Sequence, residues 1–331
     1  MSTETPGDFR QHRRRFLQGA GLLGMAAMLP ALASCGRSHP LRIMLHDWPG
    51  YAFMHLAAQQ GLVSPSQVQI LRETSLGDSV TALANGDVDG AGLTLDTVLS
   101  LQTQGVDLVV VLVFNVSVGA DALLARPERA ALAALAGARV GAEDTALSMV
   151  MLNRALFAAG LARDDIEVVH FSGDAVATWN AGGLDAILAY QPAVQQLHSQ
   201  GLVTVFDSRE LPFLITDVLA VRREALHRSA SALRRLVDGH FAVQQQWRAD
   251  PLNSNYQLAS LLGVDVQIAR EVFRGINVPN AQFNRQYLTA PATELTAAAE
   301  TLCAILNEEG ACSPLPDFGR LFSAAYLPET R

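Results

Sequence analysis

Acidic, amide and hydroxyl side chains recur just after the apolar segments of this chain, where they could hold a small ligand. Asp47 follows the apolar segment 41–45, and Asn115 follows the strongly apolar segment 108–114. Such groups bind small molecules through charge and through hydrogen bonds, as donors or acceptors. We expect a ligand to contact the following residues: Asp47, Trp48, Tyr51, Ser75, Thr94, Asp96, Asn115, Ser117, Glu143, Ser148, Asp174, Tyr190 and Asp217.

Several of these residues also have an interpretation that concerns folding alone. Trp48 and Tyr51 either stack on a planar ligand or form a hydrophobic cover packed on the protein. Ser75 either meets a ligand or caps a helix, because serine at a helix start accepts a backbone N–H. Glu143 either faces a ligand cation or supplies a favourable charge at a helix N-terminus. Asp217 is either a ligand contact or part of a hinge.

The charge of these segments narrows the class of ligand. They carry several carboxylates and neither arginine nor lysine; Arg72 is the nearest cation, and His46 and His170 are weak substitutes. An oxyanion site normally requires a positive side chain or several helix N-termini. The sequence therefore predicts a neutral or cationic solute, such as a pyrimidine-like heterocycle or an amine.

The elements that must position these residues alternate along the chain. From Leu41 onward, short apolar β-type runs alternate with helical periodicity, and after about residue 221 the pattern is mostly helical. This order is typical of an α/β fold with mostly parallel sheets, here with a helical C-terminal part. We expect two lobes, 41–124 plus 220–331 and 125–219, that close on a ligand between them.

Composition excludes several other classes of protein. The chain has 331 residues, is 50% hydrophobic and 17% charged, and carries a formal net charge of −8. No basic patch with interleaved aromatics is present, so nucleic acid is not an expected partner. The Cys and His residues lack zinc-ligand spacing, so neither a metal nor a cofactor is expected. Cys303 and Cys312 either form a disulfide or are two independent small residues.

The N-terminal segment has the order of a signal peptide. Three arginines precede Phe16 and Leu17, and the uncharged stretch 19–33 is shorter than a membrane-spanning helix. Arg13 to Leu17 resembles the twin-arginine export motif, and Leu32-Ala33-Ser34-Cys35 resembles the bacterial lipobox. We therefore expect cleavage after residue 34, lipidation of Cys35, a tether over 35–40, and a location at the periplasmic face of a bacterial membrane.

Several short stretches resemble those of one protein family in order and spacing. His46-Asp47-Trp48-Pro49-Gly50-Tyr51 is similar to a loop of these proteins, and Gln60-Gly61-Leu62 follows it. The stretch from Gly86 to Thr94, and Leu188-Ala189-Tyr190-Gln191-Pro192, are further matches. Together they resemble the periplasmic binding proteins of ABC importers, of the nitrate, sulfonate, taurine and thiamine-precursor type.

The resemblance implies a two-lobed venus-flytrap fold, that of a periplasmic binding protein, which delivers a small solute to an ABC permease in the membrane. One alternative is a receptor module that signals ligand binding to a membrane partner, and the sequence does not separate the two. Pyrimidine-precursor synthases share this fold, but the cysteine-rich motifs that they use are missing here. The chain also lacks a G-x-S-x-G nucleophile elbow. We therefore expect a binding protein and not an enzyme.

Overall fold

The structure is a computed structural model that describes residues 39–73, 75–289, 293–307, 312–314 and 316–329. The predicted signal peptide 1–34, the lipidation site Cys35 and tether residues 36–38 lie outside the described residues. All that follows concerns the unit that begins at Pro40. No helix among the described residues has the length and apolarity needed to cross a membrane.

The first sheet contains the strands at the start of the chain and two later ones. In space the order is β11-β4-β10-β3-β1-β2, and β1 to β4 share one direction while β10 and β11 oppose it. Every residue of β4 is buried, which its continuous apolar run indicates for a strand covered on both faces. The strands are β1 Leu41–His46, β2 Val68–Glu73, β3 Gly90–Thr94, β4 Leu108–Ser117, β10 Thr216–Arg222 and β11 Ile276–Asn277.

The second sheet is formed by the central part of the chain. Its order is β7-β6-β8-β5-β9, in which β5 runs opposite to the other strands. The predicted α/β fold is confirmed, and both sheets are mixed, because in each sheet the strand that arrives from the other sheet is antiparallel to its neighbours. The strands are β5 Asp121–Ala125, β6 Arg139–Glu143, β7 Glu167–Phe171, β8 Ala186–Tyr190 and β9 Val203–Asp207.

The chain passes from the first sheet to the second between Ser117 and Asp121, and it returns between Asp207 and Thr216. Residues 121–124 therefore lie in the second sheet and 216–219 in the first, a few residues away from the predicted boundaries. The division into two lobes that move against each other stays a prediction.

Helices cover the sheets, and their ends follow local sequence signals. In α4, the Thr145 side chain accepts the backbone N–H of Ser148, and Gly160 ends the helix at a φ of 69°, where glycine avoids the penalty of a Cβ atom. The helices are α1 Ala52–Gln59, α2 Leu76–Asn85, α3 Leu95–Thr103, α4 Ala146–Ala159, α5 Ala175–Asn180, α6 Ala193–Ser199, α7 Arg223–Arg228, α8 Ala230–Ala249, α9 Pro251–Leu262, α10 Val266–Glu271, α11 Ala281–Leu288 and α12 Thr293–Asn307.

The C-terminal helices confirm the predicted helical part of the fold. Helix α8 packs against α1, α11 packs against β4, and α12 contacts both α3 and α4. Cys303 on α12 forms a disulfide with Cys312, with Cα atoms 5.1 Å apart, and both cysteines are buried. The C-terminal part therefore packs mainly around the first sheet, and α12 also contacts α4, the helix that follows β6 of the second sheet.

Candidate ligand-binding cleft

A cavity of about 270 Å³ lies at the edge where strands of the second sheet end. Glu143 ends β6, Phe171 ends β7 and Tyr190 ends β8, and all three line the cavity. Asp121 begins β5, which puts it at the same edge because β5 is antiparallel to its neighbours. Asp47, which follows β1, adds a contribution from the first sheet. Ligands of α/β sheets bind outside such carboxyl ends.

The wall of the cavity is largely apolar. Aliphatic and aromatic side chains reach it from α4, α5, β7, β8 and α9, and they are Leu147, Met151, Phe171, Val176, Leu188 and Leu262. The chain contains no lysine, and none of the described residues that line this cavity is an arginine or a histidine. The charged side chains that line it are therefore all carboxylates, namely Asp47, Asp121, Glu143 and Asp174.

Two of these carboxylates are buried and have an oxygen without a hydrogen-bond partner. Asp121 is 5% exposed and its Oδ2 is unpartnered; Glu143 is 8% exposed and its Oε1 is unpartnered. Burial raises the pKa of Asp121 to about 7, with a smaller contribution from Asp96 and an opposing hydrogen bond from Ser117. Burial, and then the charge of Asp78, raises the pKa of Glu143 to about 7.

The other two carboxylates are already paired within the protein. Asp47 accepts a hydrogen bond from Arg72, with Nε and Oδ1 2.5 Å apart, and both side chains are partly exposed. Asp174 Oδ1 caps α5 by accepting the backbone N–H groups of Val176 and Ala177. Arg72, the cation expected near the site, is therefore used by Asp47.

Four residues predicted to bind a ligand are hydrogen-bonded to one another beside the first sheet. Trp48 Nε1 donates to Asn115 Oδ1 at 2.9 Å, and Asn115 Nδ2 donates to Asp217 Oδ2 at 2.7 Å. Tyr51 donates its hydroxyl to Asp217 Oδ1 at 3.0 Å. We call Trp48, Tyr51, Asn115 and Asp217 the deep network; all four are buried and none lines the 270 Å³ cavity.

The strand register explains why this network forms. β10 lies between β3 and β4, and it sets Asp217 beside Thr94 on one side and Asn115 on the other. Burial, followed by the charge of Asp121, raises the pKa of Asp217 well above its ordinary value, while the bonds from Asn115 and Tyr51 oppose the shift. A Cβ atom on Gly50 would lie 1.8 Å from Asn115 Oδ1, so the loop requires glycine at this position.

A second, small cavity lies beside the deep network: Trp48 and Asp217 line it, and it shares Asp121 and Tyr190 with the 270 Å³ cavity. It has a volume of about 10 Å³ and is lined in part by His46, Thr94, Asp121 and Tyr190. This volume is about that of a single water site. Burial, with a smaller effect of His55, lowers the pKa of His46 to about 3, so this imidazole is neutral at pH 7 and adds no positive charge.

The remaining predicted residues have diverse positions. Ser148 and the half-buried Tyr190 line the cavity. Ser75 caps α2 by accepting the N–H of Asp78, as its structural interpretation predicts. Asp96 is buried in the first turn of α3 with Oδ1 unpartnered, and Ser117 shares a hydrogen bond with Ser208 where the chain crosses between sheets.

The expected contacts leave out Asp121 and the apolar wall. Asp121 comes after β4 in the chain and begins β5, and the reversed direction of β5 brings it to the cavity. Leu147 and Met151 have helical spacing on α4, but that spacing also fits an ordinary core face. No local signal links Leu262 on α9 to the second sheet.

The combination of two α/β sheets with a cavity at the strand ends is that of a periplasmic binding protein fold. The sequence model of the NMT1-like family matches residues 39–262, and the chain belongs to this family. A comparison with curated proteins found no match.

Solved structures share the fold at low sequence identity. The alkanesulfonate-binding protein SsuA from Xanthomonas axonopodis pv. citri, bound to MOPS, is 20% identical, with a TM-score of 0.68 over 87% of this chain and 97% of that chain. The periplasmic aliphatic sulphonate binding protein SsuA from Escherichia coli is 18% identical, with a TM-score of 0.68 over 87% and 99%. The desulfurization enzyme DSZB is 17% identical, with a TM-score of 0.56 over 84% and 97%.

Proposed function

We propose that this protein is an extracytoplasmic solute-binding lipoprotein that captures a small molecule between two lobes and delivers it to an ABC-type permease. The observation that carries the proposal is the cavity of about 270 Å³ at the carboxyl ends of the strands. Membership of the NMT1-like family and the shared fold with two periplasmic sulfonate-binding proteins support a solute-binding role.

The ligand of this protein differs in charge from the sulfonates that the SsuA proteins bind. A sulfonate would face Asp121 and Glu143 without an arginine, lysine or histidine among the described lining residues. At the helix that follows β6, Thr145 already accepts the N–H of Ser148, and Asp174 caps the next helix along the cavity. These caps occupy N–H groups that could otherwise bind an anion. A neutral or cationic solute fits this cavity better.

The first experiment identifies the ligand directly. The full chain carrying Cys35→Ala is purified without added ligand and analysed by native mass spectrometry, followed by calorimetric titration with amines, pyrimidines and alkanesulfonates. We expect a neutral or cationic molecule to be recovered or to bind. Tight binding of sulfonates alone would contradict the proposed ligand class, and binding of nothing would contradict the solute-binding role.

The proposed location rests on the N-terminal sequence. Lipidation at Cys35 would tether the binding unit near a membrane permease through residues 35–40, and acyl chains contribute about 0.8 kcal/mol per buried methylene. In cell fractionation we expect the wild-type protein in the membrane fraction and Cys35→Ala in the soluble extracytoplasmic fraction. Equal release of both proteins would exclude lipid anchoring.

The likeness to DSZB favours one second candidate, an enzyme built on the same fold. Incubation of the recovered ligand with excess protein, followed by mass analysis, separates the two functions. A binding protein returns the ligand unchanged. Conversion of the ligand to a product at a rate that scales with protein concentration would establish the enzyme.

A further inference from the structure

Asp121 and Glu143 share a feature that distinguishes them from the other acids of the cleft. Each is more than nine-tenths buried, each lines the cavity, and each has one carboxylate oxygen without a partner among the described residues. An unpaired buried acceptor is unfavourable by about 1 to 3 kcal/mol, and more when it is charged. These two oxygens therefore favour a ligand that donates hydrogen bonds to them.

Both carboxylates lie close to the same side chain. Asp121 and Tyr190 are directly opposed in the pairing of β5 with β8. Burial, and then the charges of Glu143 and Asp121, raise the pKa of Tyr190 well above its ordinary value. The charges of both acids therefore act at this part of the cavity, so a cation bound there would be attracted by both.

The rest of the cavity lining indicates the size and the apolar character of the remainder of that ligand. Phe171, Met151, Leu147 and Leu188 form an apolar wall next to the two acids. Since an apolar cavity of roughly 150 Å³ can hold benzene, the volume of about 270 Å³ has room for roughly ten non-hydrogen atoms. An ion without an apolar body would leave this wall exposed to the cavity.

We propose that the ligand is an organic cation of about ten non-hydrogen atoms, attracted into the cavity by Asp121 and Glu143, with its apolar body against Phe171 and Met151. An ammonium or amidinium group carries several N–H donors of the kind that the unpartnered oxygens accept. The assignment rests on the proposed solute-binding function and names the substrate class of the same cleft. A neutral ligand is the outcome that it excludes.

Three probes of one shape test the charge. 2-Phenylethylammonium, 2-phenylethanol and 2-phenylethanesulfonate are titrated separately into the full chain carrying Cys35→Ala at pH 8. We expect the ammonium compound to bind at least about tenfold more tightly than the alcohol, since hydrogen bonds to charged groups are the strong ones, and the sulfonate not to bind. Tighter binding of the alcohol or the sulfonate, or binding of none of the three, overturns the assignment.

Substitutions test whether Asp121 and Glu143 are the residues that bind the cation. Asp121→Asn and Glu143→Gln are expected to weaken binding of 2-phenylethylammonium by about ten- to a hundredfold each, while binding of 2-phenylethanol changes little. Asp144→Asn removes an exposed carboxylate that adjoins Glu143 in sequence but does not line the cavity, so its loss should stay below about threefold. Equal losses in all three variants would show that only the summed charge matters, and would overturn the assigned positions.

Failure of this assignment differs from failure of the proposed function. If native mass spectrometry recovers a neutral or anionic ligand from the cleft, the protein binds a solute but the cation assignment is wrong. If neither a recovered ligand nor any member of the titration panel binds, the solute-binding function itself is wrong. Thermal unfolding of each variant without probe verifies that the fold is retained.

Discussion

The two sides of the cleft use the same kinds of residue in opposite ways. In the deep network beside the first sheet, both carboxylate oxygens of Asp217 accept a hydrogen bond, from Tyr51 and from Asn115. At the edge of the second sheet, Asp121 and Glu143 keep an oxygen without a partner. All three carboxylates are buried and follow or begin a strand, so neither residue type nor burial distinguishes them.

The difference lies in what faces each side chain. β10 is flanked by strands on both sides; β4 supplies Asn115, and the segment after β1 supplies Tyr51, as donors to Asp217. Asp121 and Glu143 are at the open edge, where the next atoms belong to the cavity. A satisfied network rigidifies a site, whereas unsatisfied acceptors create an affinity for donors. The deep network is therefore a rigid part of the protein, whereas Asp121 and Glu143 are the candidate contacts of a ligand.

The largest expected loss of stability comes from disrupting the deep network. Asp217→Ala leaves the Tyr51 hydroxyl and the Asn115 amide buried without their acceptor, so we expect the free energy of unfolding to fall by about 4 kcal/mol. Urea denaturation of the ligand-free protein measures it. Asp217→Asn, which retains the shape and one acceptor, should lose less than half as much. An alanine variant as stable as wild type would show that the deep network does not stabilise the folded protein.

On the other side of the cleft, we expect a substitution to increase the stability of the protein. Burial, and then Asp78, raise the pKa of Glu143 to about 7 from 4.5, so its stabilising contribution is complete below the unfolded pKa and is lost as pH rises through about 7. Glu143→Gln removes this loss, and at pH 8 we expect the variant to be more stable by about 2 to 3 kcal/mol. At pH 4 the two proteins should unfold alike. A variant less stable than wild type at pH 8 would mean that Glu143 has a partner in the folded protein.

A smaller loss of stability is expected from adding one methyl group next to the deep network. Gly50→Ala places a Cβ atom against the oxygen of Asn115 that accepts from Trp48, and overpacking of this kind destabilises by about 2 kcal/mol. Gly77→Ala is the matched control, since a Cβ there comes no closer than 3.7 Å to Ser75 Oγ. Thermal unfolding should show no loss for this control, because alanine is favoured over glycine in a helix. Equal losses in the two variants would contradict the close fit around Asn115.

The smallest expected effect is the pH dependence of cation binding. Burial raises the pKa of both Asp121 and Glu143 to about 7, with Asp96 and Ser117 facing Asp121, and Asp78 and Tyr190 facing Glu143. Protonation below pH 7 removes the charge that attracts a cation, so the affinity for 2-phenylethylammonium should fall by about tenfold from pH 8 to pH 6. The affinity for 2-phenylethanol, measured by the same calorimetry, should stay constant. A cation affinity that rises at low pH would exclude these two acids.

Much of the fold could be predicted because its signals are local. The apolar run of β4 and the glycine after α4 mark a buried strand and a helix end within a few residues. The capping role of Ser75 belongs to this class, since its partner Asp78 is three residues away. The acidic character of the cleft also followed from counting charges in the loops after strands. Strand direction is not local, and the reversal of β5 is what moved Asp121 into the cavity.

The roles of the polar residues depend on pairings over long sequence distances. Trp48 and Asn115 are 67 positions apart, and Asn115 and Asp217 are 102 positions apart. A period of 2 or 3.6 residues determines which face of a strand or helix is buried, but not which distant strand lies beside it. The amino-acid sequence was thus sufficient to predict the helices and strands and the acidic charge of the cleft. Whether a carboxylate binds a neighbour or stays open to a ligand depends on the register of β10 between β3 and β4, because a buried acid is satisfied only by donors that the folded chain brings to it.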